Sequence, residues 1–276
     1  MKKRLIFILI TVGVLIIFGI LYIAYLYMCE DDWCFFYEWQ KERRANSFEN
    51  LLISNEQIGE AIAPALKSKP ILSNLGVAIE PLNKQTNKAG DLFFTKQLLF
   101  DDGRISNDKV FVDFGSEDKY LGDSTGTIEY WFYVPLKTQV ISPIAGRVRI
   151  SYIEHTKDWS VNINYPGSEY IVSFEHLVNV NLKEGNNVDV GDALGEASPR
   201  NTFNNNIAMV ELAVWKGGKN IIKFCPFDFL EESIKLVYSE KINLLANEWE
   251  DFINKDVYKQ EDWISPGCLK DMIVEA

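Results

Sequence analysis

An uncharged apolar segment, Leu5–Met28, constrains this chain more than any other feature of its sequence. At helical rise the segment exceeds the roughly 30 Å thickness of a bilayer's hydrocarbon core, so it can span a membrane. Basic residues precede it at Lys2–Arg4, and acidic residues follow it at Glu30–Asp32. A basic flank stays in the cytoplasm, which predicts a single-pass cell-membrane protein with a cytoplasmic N-terminus and an extracytoplasmic C-terminal domain. The alternative is a cleaved signal peptide, whose apolar region is shorter and ends in small residues.

The charge of the chain excludes one class of partner. The formal net charge is −11, and three of the 28 basic residues belong to the cytoplasmic tip, so the exported part is more acidic still. Nucleic acid attracts basic proteins, and no nucleic-acid partner is expected here. The membrane contact is expected through the N-terminal helix alone.

Hydrophobic periodicity divides the chain into four parts. Residues 1–28 are the cytoplasmic tip and transmembrane anchor. Residues 29–91 are predicted to be a juxtamembrane helix followed by a linker rich in Pro, Gly and Asn. Short apolar or alternating runs between turn residues predict a β domain over 92–230. Residues 231–276 carry a helical pattern and a tail, and Asp228 is the candidate cap of that helix.

Four cysteines lie beyond the anchor, at Cys29, Cys34, Cys225 and Cys268. They have no CxxC spacing and no histidine nearby, which disfavours a zinc site. In an oxidising compartment disulfides are the better interpretation. Cys225 with Cys268 is the preferred pair, and Cys29 with Cys34 would close a small loop, although the sequence does not fix the connectivity.

Three segments of the β region carry a family resemblance. Val140–Val148 places Pro143 and Gly146 between two strands, Ser173–Leu177 contains His176, and Val180–Gly195 has regularly spaced glycines. Their order and spacing resemble the M23 (LytM-type) peptidase domain. The family patterns are V-x-A-P-x-x-G-x-V, Y-x-H-L and G-x-x-V-x-x-G-x-x-[IL]-G, with Ser142 and Phe174 as the substitutions here. The resemblance implies a mainly β fold, the barrel-sandwich hybrid or duplicated hybrid motif.

The resemblance also implies where a zinc site would lie. Active members bind zinc through the His and Asp of H-x-x-x-D and the second His of H-x-H, and further histidines assist catalysis. Four histidines are needed, and this chain has two. Lys109 and Asp113 match the first motif, with lysine in place of the histidine. Met209 and Glu211 match the second.

The expected site therefore lacks its metal ligands. A protonated lysine cannot bind zinc, so no metal or other cofactor is expected, and Lys109 is predicted to pair with Asp113 or Glu211 in place of the zinc charge. His176 matches the family's catalytic position, but without a metal we expect a structural residue hydrogen-bonded to backbone. Lys109, Asp113, Met209 and Glu211 would then form a binding surface. His155 matches no family position and is predicted to lie in a hairpin loop.

These expectations define three functional hypotheses. The first is a membrane-anchored, exported M23-like pseudoenzyme that binds or regulates envelope proteins or cell-wall peptide. The second is a divergent zinc metallopeptidase that cleaves cell-wall peptides, with Asp113 and Glu211 as zinc ligands. The third is a purely structural envelope component.

Overall fold

The computed structural model describes residues 69–99, 108–116, 127–199 and 207–275. The predicted anchor Leu5–Met28, the predicted juxtamembrane helix, Cys29 and Cys34 lie outside these ranges. Within them, no helix is both long and apolar enough to cross a membrane.

The described part of the chain is mainly β, with one α-helix, as the sequence predicts. Three short 3-10 helices, Lys96–Leu99, Pro226–Phe229 and Gln260–Asp262, complete the elements. The strands are β1 Lys88–Ala89, β2 Leu92–Phe93, β3 Phe111–Val112, β4 Tyr130–Pro135, β5 Gln139–Ile141, β6 Gly146–Ile153, β7 Asp158–Asn164, β8 Tyr170–Val178, β9 Asn187–Val188, β10 Ala193–Pro199, β11 Ile207–Lys216, β12 Ile221–Phe224 and β13 Met272–Glu275, and the helix is α1 Glu232–Ile253.

One antiparallel sheet contains all of these strands except β1 and β2, which pair with each other. Strand β11 is its centre. Ile207–Leu212 pairs with β4, Glu211–Lys216 pairs with β8, and the last residues of β11 also pair with β12. Because β11 has neighbours along both edges, it brings residues from β4, β8 and β12 onto one face of the sheet.

The other face of the sheet forms the core. Apolar side chains of the strands, including Phe132, Phe174 and Leu212, are fully buried there. Leu72 and Leu75, from the segment predicted as a linker, are buried in the same core. Fully burying an aliphatic or aromatic side chain contributes roughly 1.5–3 kcal/mol, so residues before 92 stabilise the domain.

Helix α1 packs on this core through an apolar stripe. Ile242, Leu245 and Trp249 are buried, and the Trp249 ring meets Phe94 edge to face at 5.1 Å between centroids. Val237, in the first half of the helix, is 48% exposed. The fully buried part of the stripe therefore begins at Ile242, and Ile234 and Tyr238 before it are partly buried against the core.

The predicted cap of this helix is wrong. Asp228 lies in the 3-10 turn, where its carboxylate accepts a hydrogen bond from Ser265 at 2.7 Å, and α1 begins at Glu232. The backbone is extended between the two helices because it pairs with Leu72: the Leu72 amide donates to Phe229 O and the Glu231 amide donates to Leu72 O. These tertiary hydrogen bonds prevail over the local capping pattern.

The segment 257–268, which we call the C-terminal cover, joins α1 to β13 across the end of β3. The Phe114 amide donates to Gly267 O, and the Leu269 amide donates to Phe114 O, each at 2.9 Å. Gly267 has φ +75, and a Cβ there would stand 2.7 Å from the Phe111 ring, so this close approach requires glycine. Cys268 forms the predicted disulfide with Cys225.

Loss of this disulfide should destabilise the domain. The bond joins residues 43 positions apart, and removing a native disulfide typically costs 2–5 kcal/mol. We expect Cys225→Ala/Cys268→Ala to lower the free energy of unfolding in urea by about that amount. Wild-type protein unfolded in a reducing agent should approach the same value. Equal stabilities of variant and oxidised wild type would contradict the prediction.

Candidate functional site

His176 owes its position to an irregularity in β8. One β7 residue, Ser160, lies opposite two β8 residues, Glu175 and His176, which is the geometry of a β-bulge. His176 has φ +63, in the left-handed region that histidine adopts more readily than most residues. The bulge re-aims its side chain, because bulged residues leave the regular alternation of faces.

The imidazole of His176 lies between two carboxylates. Its Nδ1 is 2.9 Å from Oδ2 of Asp158 on β7, and its Nε2 is 3.3 Å from Oε1 of Glu211 on β11. Asp158 also accepts a hydrogen bond from Thr156 Oγ1 at 2.5 Å and one from the side chain of Ser198. Both ring nitrogens therefore have side-chain partners. The expectation of a backbone-bonded histidine is wrong, because the bulge directs the ring toward the neighbouring strands.

A second buried pair continues this network. Glu211 lies opposite Trp131 in the β4 register, and its carboxyl is hydrogen-bonded to that of Glu129, just before β4. Lys223 on β12 donates to Glu129 Oε1 at 2.6 Å. Charged side chains from β7, β8, β11, β12 and the start of β4 thus form one connected cluster.

The charges of the cluster depend on one another. Burial alone would lower the pKa of His176, but Glu211 and Asp158 outweigh it and raise the pKa to about 10. Burial raises the pKa of Glu211 to about 7, against the opposing effect of His176 and with a further contribution from Glu129. Burial alone would raise the pKa of Asp158, but the hydrogen bond and charge of His176, together with hydrogen bonds from Thr156 and Ser198, outweigh it and lower the pKa. The cluster is neutral overall when Glu211 carries a proton.

Lys109 and Asp113 form an ion pair, which is one of the two pairings that the sequence predicts. Lys109 Nζ donates to Asp113 Oδ1, and the indole Nε1 of Trp263, in the C-terminal cover, donates to Asp113 Oδ2 at 3.0 Å. Asp113 is fully buried and Lys109 is 9% exposed. The Lys109 ammonium also lies 5.0 Å from the centre of the Tyr258 ring.

The other predicted residues are distributed as follows. Met209 is fully buried on β11, in register with Tyr133 of β4. Glu211 contacts His176 and Glu129, and the contacts observed for Asp113 are with Lys109 and Trp263. All of these predicted residues are buried, with Lys109, Glu211 and His176 each at most 9% exposed. His155 lies exposed in the turn between β6 and β7, where the sequence predicts a loop.

These residues do not fit a zinc site of the kind that the resemblance implies. Both oxygens of Asp113 accept hydrogen bonds from Lys109 and Trp263, and neither nitrogen of His176 is available. Catalytic zinc takes three protein ligands and leaves one position open for water. Within the described ranges, no three His, Cys, Asp or Glu side chains are placed to hold a metal ion.

The solved structures that resemble this chain are M23-type peptidases. The catalytic domain of the prophage-encoded M23 protein EnpA from Enterococcus faecalis is 21% identical, covers 39% of this chain and 82% of that chain, and gives a TM-score of 0.31. LytU is 23% identical, with coverages of 43% and 80% and a TM-score of 0.34. The antimicrobial peptidase lysostaphin from Staphylococcus simulans is 16% identical, with coverages of 39% and 43% and a TM-score of 0.33.

At these identities and TM-scores the likenesses transfer neither family membership nor activity to this chain. The chain spans less than half of the length of lysostaphin. No protein-family model and no curated protein matches it.

Several residues of these clusters, among them Asp158, Glu129, Lys223 and Trp263, were not predicted from the sequence. Asp158 opens a strand directly after a turn, and Glu129 stands just before one, positions at which charged residues are ordinary. Trp263 lies in a segment without periodicity, 150 positions from its partner Asp113. Tertiary contacts bring these residues into the clusters, and the spacing of residues along the chain does not reveal those contacts.

The stability of the domain should fall as the pH rises from about 6.5 to about 10. Folded His176 keeps its proton in this range and the unfolded histidine loses it, so its contribution is complete below the unfolded pKa and is lost through the folded pKa. Glu211 adds a loss of the same sign between about 4.5 and about 7. Urea unfolding at several pH values measures both contributions.

His176→Gln should remove most of the pH dependence of the free energy of unfolding above pH 7. It should also cost roughly 3–5 kcal/mol near pH 6, because it leaves the buried carboxylate of Asp158 without its cation. His155→Gln, in the exposed turn, is the matched control and should change neither quantity. Parallel pH profiles for His176→Gln and the wild type would contradict the account.

Proposed function

We propose that this chain is a membrane-anchored, exported M23-like domain that acts by binding, as a regulatory component of the cell envelope, and performs no peptidase chemistry. The observation that carries the proposal is the ion pair between Lys109 and Asp113. It stands at the position of the family's H-x-x-x-D motif, from which active members take two of their three zinc ligands.

An ammonium group substitutes for the charge of a metal and for none of its chemistry. Lys109 neutralises the buried carboxylate, which would otherwise carry a large desolvation cost. A protonated amine has no lone pair with which to bind a metal. It also offers no open coordination position at which a water molecule could be activated, as zinc does. The indole of Trp263 donates to the other oxygen of Asp113, so both oxygens are already hydrogen-bonded, and the ammonium of Lys109 occupies the place where a cation would bind.

His176 is likewise unsuited to proton transfer. A general base needs hydrogen-bonding reach to the group that it deprotonates and a pKa near the working pH. Both ring nitrogens face carboxylates, and those carboxylates raise the pKa of His176 to about 10, which keeps the ring protonated at neutral pH. Its role in this proposal is to join β7, β8 and β11.

The remaining parts of the proposal follow from the sequence. The segment Leu5–Met28 would hold the domain beside the membrane with its N-terminus in the cytoplasm. The domain itself would be a barrel-sandwich hybrid, and its partners would be envelope proteins or cell-wall peptide. No cofactor is required.

A divergent zinc peptidase is the second candidate. The observation in its favour is that two carboxylates stand at family ligand positions, the retained aspartate Asp113 and Glu211 in place of a histidine. Zinc binding would require Asp113 to release Lys109 and Trp263, and Glu211 to release His176.

Zinc content and cleavage decide between the two candidates. The purified full chain should contain far less than one zinc per molecule by elemental analysis and should leave cross-linked peptidoglycan intact, while an active M23 peptidase cleaves it. Asp113→Ala should behave identically in both assays. One zinc per wild-type molecule, lost in Asp113→Ala, would refute the proposal and support the peptidase.

Binding is tested separately by co-sedimentation of the full chain with insoluble peptidoglycan. The proposal expects either retention on peptidoglycan or capture of an envelope protein by the chain in membranes. Absence of both, together with normal cellular function of variants with bulky residues at Glu211 and His176, would favour the purely structural role.

A further inference from the structure

The C-terminal cover lies directly against the Lys109–Asp113 pair. The Trp263 indole donates a hydrogen bond to the carboxylate of Asp113, and the Tyr258 ring lies beside the ammonium of Lys109. The rings of Trp263 and Tyr258 contact each other, with 6.0 Å between their centroids. The cover thus adds a hydrogen-bond donor and two aromatic rings to the surroundings of a pair that is itself buried.

Hydrogen bonds fix the cover to the sheet at both of its ends. At its start, Tyr258 Oη accepts from the Phe111 amide at 3.1 Å and donates to Phe111 O at 2.7 Å, which satisfies both backbone groups of that residue. At its end, Phe114 bonds to Gly267 and Leu269 on either side of Cys268. Both of these attachments are to β3 or to the residue just after Asp113, so they hold the cover beside the first motif.

We propose that the C-terminal cover is a built-in lid that closes the first-motif position to any ligand. This inference rests on the proposed function, since it describes how the same position is kept shut. Replacement of the histidine by Lys109 removes a metal ligand, and the cover removes access. A ligand of this domain would therefore bind elsewhere on its surface or have to displace Trp263 and Tyr258.

The lid makes a prediction that the lysine substitution alone does not. If Lys109 alone accounted for the closed site, shortening Trp263 would leave access to position 109 unchanged. If the cover is the barrier, its removal opens the position even though the residue at 109 is the same.

Thiol labelling of the full chain tests this difference. In a Cys29→Ser/Cys34→Ser background, Lys109→Cys reports on the covered position and Ser151→Cys, exposed on β6, is the reference. With Trp263 present, a bulky maleimide should react with Lys109→Cys at least about tenfold more slowly than with Ser151→Cys. Adding Trp263→Ala should accelerate labelling at 109 by about tenfold or more and leave labelling at 151 unchanged.

Two outcomes would overturn the lid. One is equal labelling at both positions with Trp263 present, and the other is an unchanged rate at 109 after Trp263→Ala in a folded protein. Should Lys109→Cys fail to fold, hydrogen exchange of the Phe114 amide gives the same test in the otherwise native chain. It should accelerate in Trp263→Ala, and unchanged exchange would contradict the proposal.

The result of the labelling experiment is independent of the zinc assay. A protein that binds zinc and is also accessible at position 109 would refute both proposals. A zinc-free protein with an accessible position 109 would refute the lid and leave the binding role intact.

Discussion

The buried ion pair between Lys109 and Asp113 is the interaction on which the rest of this site depends. A carboxylate that is fully removed from water is tolerated only with a charge partner and hydrogen bonds, because the desolvation cost is several kcal/mol for an isolated ion. Lys109 supplies the charge, and Trp263 supplies the second hydrogen bond. With both in place, β3 can pass beneath the C-terminal cover without a metal. The sheet edge, the cover and the disulfide at Cys268 are therefore one structural unit built around Asp113.

The second cluster obeys the same constraint with different residues. The carboxyls of Asp158, Glu129 and Glu211 are buried. The cations of His176 and Lys223 balance two negative charges, and the third carboxyl is neutral when Glu211 carries a proton. The β-bulge makes this possible, since a regular strand would direct His176 according to the alternation of faces. Polar residues on the sheet face opposite the core thus hold neighbouring strands together. In the proposed account the role of these polar residues is structural.

The sequence predicted the type of most elements and one of the two clusters. Alternating runs such as those of β6, β7 and β8 identify strands because one face of each is buried. The Lys109–Asp113 pair could be predicted because the two residues are four positions apart, in a pattern that resembles the H-x-x-x-D motif. The start of α1 was missed because backbone pairing with Leu72 replaces the expected cap at Asp228. The surroundings of His176 were missed because a bulge and two distant strands determine them. Trp263 carries no local signal at all, since its position depends on the path of the cover.

A double-mutant cycle on the ion pair tests the central claim most directly. The free energy of unfolding would be measured for wild type, Lys109→Met, Asp113→Asn and the double variant, once with a chelator and once with excess zinc. The account predicts a coupling energy between the two residues of about 1–3 kcal/mol, equal in both conditions. Absence of coupling, together with zinc stabilisation of the wild type that Asp113→Asn abolishes, would show that Asp113 is a metal ligand and would contradict it.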